Sequence, residues 1–210
     1  MKHVFDAVRA AEGTTMDRRS YHADAAALRQ SDRIIGDVWK LERAQTFEDT
    51  CDPAWAAFLS GDWNRVLEIF DGERAGLVEQ SRSYARLGLR FRRLRIVEHP
   101  PTPYLQWEMR SHRIFVECGH EIRTLEAEWI REWERDRPLP ELVIYCGEVI
   151  YQVRYDERRR PVGAKRIDDP RLAAAAAATV SELYVQAEPL MDYFDREIAP
   201  LPPCTPALDW

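Results

Sequence analysis

Leu89-Arg90-Phe91-Arg92-Arg93-Leu94-Arg95-Ile96-Val97-Glu98 is the stretch on which the reading of the fold turns. Upstream of it apolar residues recur at helical spacing; from Leu89 onward they alternate with a period of two, the mark of a strand. Alternation places Phe91, Arg93, Arg95 and Val97 on one face, and Arg90, Arg92, Leu94 and Ile96 on the other. His99-Pro100-Pro101-Thr102-Pro103 cannot continue the strand, because three prolines remove backbone donors. Working backward, Gly88 stops a long amphipathic helix that Asp62 caps and that Trp63, Val66, Leu67, Phe70, Leu77 and Val78 define, with a kink expected at Gly72 or Gly76. Asp52-Pro53 starts a shorter helix carrying Trp55, Phe58 and Leu59. Residues 23–43 read as one further helix, from Leu28, Ile34, Ile35, Val38 and Leu41.

Working forward, a helix is predicted over residues 104–118, stopped at Gly119, then a short strand over 121–125. Residues 126–136 read as helical, with Trp129, Ile130 and Trp133 on one face. Residues 142–146 and 149–155 form a hairpin across Gly147-Glu148, with a third strand over 162–167. Asp168-Asp169-Pro170 opens a last helix through the alanine tract to about residue 197, bent or split at Pro189. The order of elements predicts an α/β fold: a mixed sheet of about five strands layered with helices. The expected division is an N-terminal helical arm (1–45), an α/β domain (46–198) and a proline-rich tail (199–210) that is ordered only if Trp210 finds a pocket.

The 210 residues are 45% hydrophobic and 31% charged, a globular balance that needs neither disulfide nor metal to fold. A formal charge of −6 argues against a general nucleic-acid coat protein. No apolar run approaches the ~18 residues of a membrane span, and Met1-Lys2-His3-Val4-Phe5-Asp6 lacks a secretory core, so a soluble, cytoplasmic protein is expected. Cys51, Cys118, Cys146 and Cys204 form no C-x-x-C pair and read as free thiols.

Arg93 and Arg95 project side by side, roughly 7 Å apart. Two neighbouring guanidinium groups call for an anion or carboxylates between them. One reading is an anion clamp completed by Arg123, with Tyr104 and Glu108 alongside; the other is an ion-pair network with Glu98, Glu108 or Glu121. Cys118-Gly119-His120-Glu121, with His112 and Glu108 upstream, holds zinc-compatible residue types but not the usual two-pair spacing, so no metal and no cofactor are expected. Glu108 and His112, four apart, read as a surface pair on a helix. G-x-S-x-G, P-loop and G-x-G-x-x-G motifs are absent from the sequence. If the chain is an enzyme, Cys118, His120 and Glu121 are the candidate catalytic residues. Trp63, Trp107, Trp129 and Trp133 are expected in the core, and Arg158-Arg159-Arg160 in a solvated turn. A weaker reading uses the Arg82, Arg86, Arg90 and Arg92 face for sequence-tolerant nucleic-acid contact, which must then depend steeply on salt.

Arg93-Leu94-Arg95-Ile96-Val97-Glu98-His99-Pro100 resembles an actinobacterial family known as domain of unknown function 6879. The resemblance runs on through Pro103-Tyr104-Leu105-Gln106-Trp107-Glu108 and Gly119-His120-Glu121-Ile122-Arg123, then through Leu139-Pro140, Asp169-Pro170 and residues 187–193. It spans residues 50–195, and His120 stands where an acidic residue is usual. The resemblance implies a compact α/β domain and, by family context, a helix-turn-helix regulator as a possible partner; it implies no activity. The layout is also similar to half of a phospholipase D-like domain, whose H-x-K nucleophile motif this sequence lacks. The expectation is therefore a non-enzymatic accessory or regulatory module binding a partner protein or small anionic ligand through Arg93, Arg95 and Arg123. The alternative is a tailoring enzyme for group transfer on a phosphorylated or carboxylate substrate.

Overall fold

The computed structural model describes residues 4–48, 50 and 52–204, so the expectations for Cys51 and for Trp210 in the tail lie outside the described residues. Helix α1 (Val4–Ala10), strand β1 (Thr14–Asp17), helix α2 (Arg18–Arg29) and strand β2 (Gly36–Glu42) come first. Helices α3 (Pro53–Leu59), α4 (Trp63–Gly72) and α5 (Arg74–Arg86) lead to β3 (Leu89–Val97), α6 (Pro103–Glu117) and β4 (Glu121–Glu126). A 3-10 segment (Ala127–Trp133) precedes β5 (Leu142–Tyr145), β6 (Val149–Tyr155) and β7 (Pro161–Ile167). The chain closes with α7 (Pro170–Gln186), β8 (Glu188–Pro189), α8 (Leu190–Tyr193) and a π-helical turn (Phe194–Ile198). No helix among the described residues is long and apolar enough to cross a membrane.

The fold is α/β, with one mixed sheet in the order β1-β7-β6-β5-β2-β3-β4-β8. Strands β2, β3 and β4 are parallel and joined through helices, whereas β5, β6 and β7 form an antiparallel meander. The sheet has eight strands where about five were expected, because the N-terminal segment is not a helical arm and because Glu188–Pro189 pairs with β4. It contributes edge strand β1 and, in β2, a strand at the centre of the sheet between β3 and β5. The single helix predicted over 23–43 is thus two elements. The helix ends at Arg29, and Gly36, at φ 119°, opens the strand in a conformation that glycine tolerates, from where Val38, Lys40 and Glu42 alternate with Trp39 and Leu41. Local spacing among Ile34, Val38 and Leu41 imitates a helix; hydrogen bonding to a strand on either side decides otherwise.

Local signals hold elsewhere. Asp52, Asp62, Thr102 and Asp169 each cap a helix with a side-chain oxygen, and proline occupies the first turn of α3, α6 and α7. The long helix expected after Asp62 breaks at Glu73, directly after Gly72. Pro189 ends the last helix and puts two residues on the sheet edge.

One face of the sheet packs Trp39, Leu41, Leu94, Ile96 and Ile144 against Phe5 and Val8 of α1 and Val180 and Leu183 of α7. The other face carries α2 at the meander end, α3, α4 and α6 in an aromatic cluster of Trp55, Phe58, Trp63, Phe70, Tyr104 and Trp107, and α8 against Val97 and Ile122. Trp63 and Trp107 are core residues, as expected, and Trp133 packs at its margin. Trp129 is not: the 3-10 segment buries Ile130 and leaves Trp129 62% exposed, because at three residues per turn Ile130 and Trp133 share a face that Trp129 does not.

Candidate ligand pocket

The parallel register sets Lys40 beside Arg93 and Glu42 beside Arg95, all on the sheet face that α6 covers. From α6, Tyr104, Glu108 and His112 recur every fourth residue and reach down to the same place. Arg95, fully buried, donates from Nε to Glu108 Oε2 at 2.7 Å, and Tyr104 donates to Glu108 Oε1 at 3.1 Å. Lys40 Nζ lies 2.6 Å from Glu42 Oε1, and Arg93 Nε lies 3.4 Å from Glu42 Oε2. Arg93 also donates to His112 Nε2; the other ring nitrogen, Nδ1, is buried with no hydrogen-bond partner among the described residues.

Burial and charge tune this floor. Burial pushes the Glu42 carboxyl up, but Arg93 first, then Lys40 and Arg95, outweigh it and hold the group well below the usual carboxylate range. Burial and then Arg93 push His112 well below the ordinary imidazole value, so its ring is neutral. Burial, with Glu108 beside it, raises the Tyr104 hydroxyl. Glu141, at the edge of the network, accepts from the backbone N–H groups of Arg43 and Ala44, yet burial and then Glu42 raise it to about 7.

Above the floor is a cavity of about 380 Å³, within the range of small-molecule sites. Its walls are aromatic: Tyr21 from α2, Tyr84 from α5, Phe115 and Trp107 from α6, and Tyr145 and Tyr155 from the meander. Tyr84 stacks on Phe91 with ring centroids 5.3 Å apart, and the Arg93 guanidinium lies 5.6 Å over Phe115. At the floor, side-chain exposure is 28% for Lys40 and 13% for Arg93, against 9% for Glu42 and 7% for Glu108, and Arg18, Arg29, Glu48 and Asp52 also line the cavity.

Of the residues singled out in the sequence, Arg93, Arg95, Glu108 and Tyr104 meet here. Glu108 is the partner of Arg95, while Arg93 pairs with Glu42 and lines the cavity. Glu108 and His112 are not a surface pair; the sheet lies under that side of α6 and buries both. Arg123 is not part of the cluster. Register pairs it with Leu94, which puts it on the opposite face, where it donates to the carbonyls of Tyr184 and Ala187 at the end of α7. Replacing Arg123 with methionine is expected to lower stability by about 1–2 kcal/mol, as for a charged hydrogen bond to a helix terminus. Chemical denaturation checks this, and an unchanged midpoint contradicts the capping role.

Cys118 closes α6, is buried, and directs its thiol to the carbonyl of Arg74 at 3.7 Å. His120 lies 3.1 Å from the Leu77 carbonyl through Nε2, and Arg92 donates to Glu121 at 3.0 Å. Cys118, Cys146 and Cys204 carry free thiols. The basic face proposed for nucleic acid is largely paired internally: Arg86 with Glu79, Arg90 with Asp37, and Arg92 with Asp37 and Glu121. In the β6–β7 turn, Arg158 and Arg160 reach Glu48.

Sequence reading missed Lys40 and Glu42, which it had placed on a helix; the alternation Val38-Lys40-Glu42 was the available signal. Glu42, Glu108 and His112 bring potential ligand atoms within 4.8 Å of one another. A divalent cation there would face Lys40, Arg93 and Arg95 with only two carboxylates to offset it, so the arrangement fits an ion-pair network better than a metal centre.

Among curated proteins, none matches this chain. A family model does, over residues 25–195, which include β2, β3, β4 and the whole of α6 and so every residue of the floor, and on that match the chain belongs to the family described as domain of unknown function (DUF6879).

Proposed function

We propose that this protein is a non-catalytic binding module whose cavity takes a small anionic ligand. The observation that carries the reading is the layering of charge at the floor. Three basic side chains, Lys40, Arg93 and Arg95, are set against two carboxylates, Glu42 and Glu108, while burial and then Glu42 raise Glu141 to about 7 and burial and then Arg93 keep His112 neutral. Of these three, Lys40 and Arg93 line the cavity, and an anion arriving there meets them directly. The aromatic walls supply most of the contact area and the charged floor sets orientation, the usual division of labour in small-ligand sites.

The test uses 1-anilinonaphthalene-8-sulfonate, an aromatic anion whose fluorescence rises in apolar surroundings, beside N-phenyl-1-naphthylamine, the same ring system without the sulfonate. The folded protein is expected to bind the sulfonate more tightly, and Arg93→Gln to weaken that binding at least tenfold while leaving the neutral probe unaffected. Far-ultraviolet circular dichroism confirms that the variant is folded. Equal binding of both probes, or an Arg93→Gln variant that binds the anion as tightly as the parent, contradicts the proposal.

A further inference from the structure

A second chamber of about 300 Å³ adjoins the first. The two share His22, Lys40, Tyr84, Phe91, Arg93 and Phe115, so the cavity-facing cations stand at the neck between them. The chambers differ in chemistry. The first holds Arg18, Arg29, Glu48 and Asp52 among its rings, whereas the second adds Gln80 and His120. In His120, Nε2 is committed to the Leu77 carbonyl and so carries the proton. Burial lowers the affinity of this imidazole for a second proton, which leaves Nδ1 as an acceptor. Together with the Gln80 oxygen, it gives the second chamber acceptors for an N–H group.

We infer that the pocket takes an aromatic carboxylate with an acylamino arm on the carbon bearing the acid, the chemistry of an N-acylated aromatic amino acid, with its carboxylate at Arg93 and Lys40, its ring in the first chamber and its N–H arm in the second. This inference rests on the anion-binding reading and adds the ligand class. An acid group at the neck can extend into both chambers only if the molecule branches beside it. The ring matches the aromatic walls, and the arm offers an N–H to the His120 and Gln80 acceptors, plus a carbonyl that the Gln80 amide N–H can meet.

Isothermal titration of the full chain with three probes tests it: N-acetyl-L-tyrosine, 3-(4-hydroxyphenyl)propionate, which lacks the arm, and N-acetyl-L-tyrosine amide, which lacks the acid. N-acetyl-L-tyrosine is expected to bind at least tenfold more tightly than either of the others. Gln80→Ala, at an exposed position, and His120→Ala are expected to narrow the gap between the first two probes and leave the armless acid unchanged. Equal affinity for the armless acid overturns the ligand class and leaves the anion reading standing. Equal affinity for the amide overturns both, as does the failure of all three probes to bind at millimolar concentration.

Discussion

Arg95→Met is expected to lower the unfolding free energy by about 3–5 kcal/mol, the cost typical of removing one partner from a buried ion pair. Arg95 is completely buried, holds Glu108 at 2.7 Å through Nε, and donates from Nη1 to the Ile96 carbonyl at 3.1 Å. Methionine fills similar volume, so the effect isolates charge from packing. Without the guanidinium, the buried Glu108 keeps only the Tyr104 hydroxyl as a hydrogen-bond donor, and Glu42 loses one of the charges that hold it ionised. Combining Arg95→Met with Glu108→Gln removes the orphaned charge and is expected to recover a large part of the loss, a coupling that a double-mutant cycle in urea measures. A single variant that costs less than about 1 kcal/mol, in the range of an exposed pair, would show that water reaches this pair.

Glu141→Gln is expected to act in the opposite sense, and only at higher pH. The Glu141 carboxyl, ordinarily near 4.5, is raised to about 7, by burial first and then by Glu42. The folded state therefore favours the protonated form. The stability this contributes is fully present below 4.5 and is lost as pH rises through about 7. Above that range the buried carboxylate costs on the order of 3 kcal/mol, the free energy that corresponds to the gap between the two values. Glutamine keeps an acceptor for the Arg43 and Ala44 N–H groups but cannot ionise. The variant and the parent are expected to have similar stability near pH 5, with the variant more stable by about 2–3 kcal/mol at pH 8.5. Comparing the two at each pH cancels the opposing contribution of Glu42, whose lowered carboxyl favours the folded state at higher pH. Parallel pH profiles would place Glu141 in contact with solvent.

Both predictions concern residues that the sequence treated unequally. Arg95 stood out because its strand carries four arginines in alternation with apolar residues, and a charged side chain on the same face as Phe91 and Val97 needs a partner there. Glu141 gave no such signal; it follows a proline in a loop, and nothing nearby in the chain announces that Arg43, Ala44 and Glu42 will enclose it. The same contrast separates Glu108 from Lys40. Helical spacing correctly placed Glu108 and His112 on one side of α6, though not which side would be buried.

What the sequence by itself determined is what is settled within a turn or two of the chain. The caps at Asp52, Asp62, Thr102 and Asp169, the stops at Gly88 and Pro189, and the alternation through Arg93 and Arg95 rest on backbone hydrogen bonds and φ preferences that neighbouring residues control. Tertiary structure alone decided that residues 36–42 are a central strand, that Lys40 stands beside Arg93, that Arg123 faces away with Leu94, and that Glu108 and His112 lie beneath α6. Those outcomes depend on strand register and on which helix covers which face. Both are chosen by pairing between segments tens of residues apart, where the burial of a whole sheet outweighs local propensity.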